Sequence, residues 1–145
     1  MSWQNLQNGN PTLAQIGQER LNGRVSYLAT VQANGTPRVH PVTPIIGEGR
    51  LFVFMEPTSP KGQDIVRHGR YALHCGVEDN SGGAGEFYVW GHGRLITDTA
   101  TRALAVEASS YKPADRYILF ELDVQRARGT TYGENGPIHQ SWSAK

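Results

Sequence analysis

Between Val25 and Cys75 the chain runs in short apolar stretches separated by turn dipeptides, a rhythm that restricts it to antiparallel pairing of neighbouring strands. Val25, Tyr27, Ala29 and Val31 alternate against Ser26, Leu28 and Thr30, the two-residue period of a strand. Asn34-Gly35 follows, and because both residues tolerate positive φ it predicts a tight hairpin. A second strand is expected from Arg38 to Ile46. Pro41 and Pro44 interrupt it and cannot donate to a ladder, so this strand should be an edge, bulged, or turned toward a ligand. Gly47-Glu48-Gly49 turns the chain into a third strand, Leu51 to Met55.

A helix is predicted next, from Pro60 to His68. Ser59 suits its N-cap, Pro60 its first position and Gly69 the residue after its last. Strand character resumes over Tyr71 to Val77 and again over Glu86 to Ile96, with the polar loop EDNSGGAG between them. Asp98 caps a further helix ending before Pro113. In the last strand, Tyr117 to Gln125, residues Ile118, Phe120, Leu122 and Val124 share one face. Near the start, Pro11 opens a helical pattern closed by Gly23. Residues 1–10 and about 127–145 read as loose or dimer-packing tails of a single domain over 1–145. Six strands and three helices without a β-helix-β rhythm disfavour a parallel sheet. They predict a mainly β fold, a small antiparallel barrel with helices over its openings.

Composition narrows the function. With 14 Lys and Arg against 13 Asp and Glu, the net charge is only +1, and no basic run exceeds two residues. No nucleic-acid partner is therefore expected. No apolar run approaches the ~18 residues that cross a membrane, and MSWQNLQNGN lacks the features of a signal peptide. The expectation is a cytoplasmic protein. At 38% hydrophobic residues the core is lean, which makes burial against a second subunit attractive. The single cysteine, Cys75, excludes an internal disulfide and reads as a buried small hydrophobe.

Chemistry concentrates at Thr58-Ser59-Pro60-Lys61. A helix start offers unpaired N–H groups and a positive dipole end, and a hydroxyl and an ammonium there make a phosphate seat. Read in isolation, the same residues also describe an ordinary capped helix. The five histidines, His40, His68, His74, His92 and His139, lack metal-ligand spacing, so no metal is expected. His40 is either a packing residue or a ligand contact. Gly91-His92-Gly93 lacks the third glycine and following helix of a dinucleotide fingerprint, and no hydrolase nucleophile motif is present. Trp90 and Trp142 serve packing or dimer burial, or else contact a planar ring.

Three strings, YLATVQANGTPRVHPVTPI, RLFVFMEPTSPK and VWGHGRLITD, occur in an order and spacing that resembles the flavin-binding split-barrel superfamily related to pyridoxamine 5′-phosphate oxidase. The resemblance spans roughly Leu21 to Leu122. It implies a six-stranded antiparallel split β-barrel that dimerises, with flavin mononucleotide (FMN) in the cleft between subunits. By that likeness His40, Pro41, Val42 and Thr43 line the ring and ribityl, Phe54 and Met55 the strand end, and Ser59 and Lys61 the phosphate. Trp90 approaches the cofactor of the other subunit. His40 and Pro60 stand where the oxidases carry arginines, and GENGPIHQSWSAK has no counterpart of their substrate-gripping arginine segment. The implied activity is flavin-mediated hydride or electron transfer to a small-molecule substrate, with catalytic residues unassigned. The alternatives are a deazaflavin-dependent reductase on the same fold, or a non-catalytic protein that binds flavin or haem.

Overall fold

In the computed structural model, which describes residues 2–78, 80, 83 and 85–145, the chain is mainly β. The elements in order are α1 (Trp3–Gly9), α2 (Pro11–Leu21), β1 (Ser26–Val31), β2 (Pro37–Val42), β3 (Ile45–Gly47), β4 (Arg50–Met55), α3 (Pro60–His68), β5 (Arg70–Cys75), β6 (Glu86–Ile96), α4 (Thr99–Ala108), β7 (Ile118–Gly133) and β8 (Gly136–Ser143). All described strands join one antiparallel sheet in the order β2-β1-β5-β6-β7-β4-β3, with β8 also paired to β7.

The described strands number eight rather than the expected six. Pro44 splits the expected second strand into β2 and β3, because no ladder bond can form through it. The other extra strand lies in residues 127–145, which are not a loose tail: β7 runs on past Gln125 and β8 folds back along it. Residues 1–10 are not loose either. They form α1, whose Trp3 and Leu6 are fully buried, and the Asn10 side chain caps α2 by accepting from the Leu13 N–H at 3.1 Å. The expected EDNSGGAG loop falls partly outside the described residues.

Two apolar layers result. The main core packs Trp3, Leu6, Leu13 and Leu21 of the helices onto Leu28, Leu73, Phe87, Val89, Phe120, Leu122 and Val124 of the sheet. A second cluster, Ile45, Phe52, Phe54, Ala105 and Leu119, lies beneath α4. Strand β4 therefore buries both faces, with Leu51, Val53 and Met55 in the main core and Phe52 and Phe54 under α4. In β1 the inward face is Ser26, Leu28 and Thr30. The more apolar set, with Tyr27 at 49% exposure, looks outward, as do Val25 at 55% and Val39 of β2 at 65%.

The β6–β7 ladder shifts register between Trp90 and Gly91. A Cβ at Gly91 would collide with the Asp123 carbonyl oxygen and crowd the Gln125 N–H, which explains a glycine there. Beyond the shift the two strands stay paired to Ile96↔Leu119, so β6 and β7 form the spine of the sheet.

Candidate cleft at the start of helix α3

The chain leaves β4 at Met55 and turns through Glu56-Pro57-Thr58 into α3, where the Ser59 N–H donates to the Glu56 carbonyl at 3.0 Å. A cavity of about 530 Å³ opens at this corner. One wall is the β2–β3 break, Pro41, Val42 and Thr43, and the floor is the β4 end, Phe54 and Met55. Thr58, Ser59, Pro60 and Lys61 form the helix side, and Tyr111 and Tyr117 the far rim. The volume lies within the range of small-molecule sites, about 300–1,000 Å³.

Ser59 does not cap α3 with its side chain, as its position had predicted. Its hydroxyl instead accepts from Lys61 Nζ at 2.9 Å, and its carbonyl takes both the Gly62 and Gln63 N–H groups, at 3.1 and 3.2 Å. Pro60 supplies no donor. The helix start thus offers fewer free amides than the sequence implied, and the ammonium carries most of the positive character. Partial burial lowers the Lys61 pKa. Among the described residues Lys61 makes no ion pair, and the Glu56 carboxylate on the same rim is gripped by Arg116 at 2.6–3.1 Å, a bond that lowers its pKa. A half-desolvated cation without an anion, beside two hydroxyls at the edge of an apolar floor, fits the phosphate of a bound cofactor.

Strand β1 and helix α3 hold this corner in place through Asp64. Its carboxylate, 1% exposed, accepts from Thr30 Oγ1 (2.7 Å), Arg38 Nε (2.8 Å) and Arg67 Nη1 (3.2 Å). Burial pushes the Asp64 pKa up, but the bonds from Thr30, Arg38 and Arg67 outweigh it and leave the group lowered. Gly69 at φ 77° ends the helix and returns the chain to β5.

Of the residues singled out from the sequence, Pro41, Val42, Thr43, Phe54, Met55, Ser59 and Lys61 line this one cavity. His40 is half-buried on β2, on the face of Arg38 and Val42, and is not part of the lining. Trp90 lies on the outer face of β6, stacked on Tyr88 with ring centroids 5.4 Å apart. Trp142 packs against the main core and so close to Gly9 that no side chain could replace that glycine's hydrogen. Neither tryptophan lines the cleft in a single chain. Sequence reasoning missed Glu56, Tyr111 and Tyr117. The tyrosines come from the irregular segment after α4, and nothing in their spacing announces that it folds back to β4. Arg116 does that by clasping Glu56 and covering the Tyr117 ring at 5.2 Å.

No protein-family model matches the chain, and comparison with curated proteins finds no match. Solved structures do match. A haem-binding protein from Mycobacterium smegmatis superposes with a TM-score of 0.67 at 20% identity, covering 84% of this chain and 53% of that one, so this chain spans about half its length. A NimC/NimA family protein from Clostridium acetobutylicum gives 0.62 at 18% identity, with 88% and 92% covered. The general stress protein 26 of Bacillus anthracis gives 0.64 at 15% identity, with 91% and 98% covered. The fold is a split β-barrel. At these identities the likeness is one of architecture, and split barrels host more than one function. Among the described residues no helix is long and apolar enough to cross a membrane, and no cluster of His, Cys, Asp and Glu could hold a metal.

Proposed function

We propose that the protein binds flavin mononucleotide in the cleft at the start of α3 and acts as a small oxidoreductase. The observation that carries this reading is Lys61, a partly buried ammonium bonded to Ser59 and with no anionic partner among the described residues, at the end of an apolar floor. Lys61, Ser59 and Thr58 would hold the phosphate by charge-assisted hydrogen bonds. Backbone groups of Pro41, Val42 and Thr43 would orient the ring edge, with Phe54 and Met55 excluding water beneath it. The bound flavin supplies hydride or electron transfer to a small-molecule substrate. No side chain is assigned as acid or base.

The reading includes a homodimer that covers the cleft, with Trp90 of one subunit approaching the cofactor of the other. The outward apolar patch of Val25, Tyr27 and Val39 supports such a pairing, since a lean chain gains by covering it. The protein is expected to work in the cytoplasm.

A second reading is haem binding without turnover, favoured by a structural neighbour that is a haem-binding protein. A deazaflavin in the same cleft is a variant of the first. Titrating FMN, deazaflavin cofactor and haem separately into the purified protein, and following visible absorbance, separates the three. Saturable FMN binding with cofactor-dependent oxidation of reduced nicotinamide supports the oxidoreductase. A haem spectrum with no response to FMN overturns it.

A further inference from the structure

The outer face of the ribbon formed by β6, β7 and β8 carries a second cavity, of about 440 Å³. Register builds it. Tyr88, Arg128 and Ser141 are directly paired across the three strands, and Glu86, Thr130 and His139 are paired in the adjacent row. Residues paired in this way share one face, so these six side chains project together, while Phe87 and Val89 point into the core.

The charges in this cup are unequal. Glu86 is already answered by His74, whose Nε2 lies 3.3 Å away and whose Nδ1 contacts the Cys75 carbonyl at 2.6 Å. Thr130 Oγ1 and His139 Nδ1 satisfy each other at 3.0 Å. Arg128 is different: its guanidinium makes no hydrogen bond and no ion pair among the described residues, although it lines a concave site. Its planar fork faces a cup that also offers the Ser141 and Tyr88 hydroxyls. Beside the cup stand three stacked rings, His74, Tyr88 and Trp90, with centroids 5.5 and 5.4 Å apart.

We propose that this cup binds the oxyanion, carboxylate or phosphate monoester, of a small planar molecule, with Arg128 as the anchoring fork and the aromatic column along the ligand's flank. A guanidinium matches either oxyanion through two parallel hydrogen bonds. The cup lies on the β7–β8 margin, apart from the apolar patch on β1 and β2, and shares no lining residue with the cleft at α3 of the same chain; Trp90, beside it, is the one residue the proposed dimer also brings toward the partner subunit's cofactor.

Benzoate and phenyl phosphate are titrated separately into the full chain, and backbone amide shifts are followed by NMR. Saturable shifts are expected at 86–88, 128–130 and 139–141, and whichever probe binds more tightly identifies the oxyanion. Arg128→Gln should weaken that binding about tenfold or more, and Ser141→Leu, at an exposed position, should block it sterically. Lys61→Ala should leave the shifts unchanged, which separates this site from the cleft. Shifts centred on 58–61, no saturation with either probe, or Arg128→Gln and Ser141→Leu variants that bind as the wild type does would overturn the proposal.

Discussion

A single ammonium decides how the cleft treats an anion. Burial lowers the Lys61 pKa, yet its group stays within reach of Ser59, so a phosphate arriving there gains a partner already partly stripped of water. Lys61→Ala should weaken FMN binding by about 1.5–3 kcal/mol, read by isothermal calorimetry. His74 presents the opposite case. Hydrogen bonding to Cys75, and then to Glu86, raises it to about 9 against the effect of burial. Because the folded value lies above the unfolded value of about 6.5, its stabilising contribution is complete below that pH and fades as pH rises through about 9. Thermal melts should therefore show a loss of stability across that window in the wild type. His74→Gln should flatten it, and an unchanged slope would show that the imidazole is not charged. The effect is small, since the side chain is 40% exposed.

Among the elements, α3 matters most, because its start is one wall of the cleft and Asp64 fixes its position. Removing that carboxylate leaves the Thr30 hydroxyl buried and two arginines without their acceptor, though both can reach water. Asp64→Ala should cost about 1–3 kcal/mol in urea unfolding. The lowered Asp64 pKa adds that the wild type loses this stability as pH falls through the folded value, below 3.8, whereas the variant has none of it to lose. The local elements were legible from the sequence wherever turn chemistry and alternation agreed. Asn34-Gly35, Ser59-Pro60 and Gly69 each stand at a real boundary. Reasoning ran out where tertiary packing outweighed composition. WQNLQNG is polar on average, but two apolar residues suffice to dock it as α1, and the Gly-rich stretch after Gln125 becomes strand because β6 and β8 satisfy its backbone. The cleft was half legible. Its helix side follows from local rules, while Tyr111 and Tyr117 arrive through a long-range clasp that leaves no periodic trace.

At the scale of the whole molecule, the exposed face of β1 and β2 is the feature a lone chain explains least well. Val39→Glu places a charge in that patch and is expected to convert the proposed dimer to a monomer in sedimentation velocity, with the fold intact because Val39 is 65% exposed. A monomeric wild type would remove the dimer from the account but leave the cleft. The split barrel itself is secured by the solved structures, and the functional reading rests on the short set of groups at the start of α3. The most direct test is a crystal structure of the protein soaked with FMN. The account predicts the phosphate within hydrogen-bond distance of Lys61 Nζ and the ring against Pro41–Thr43. Flavin density elsewhere, or a cleft that stays empty at saturating FMN, would contradict it.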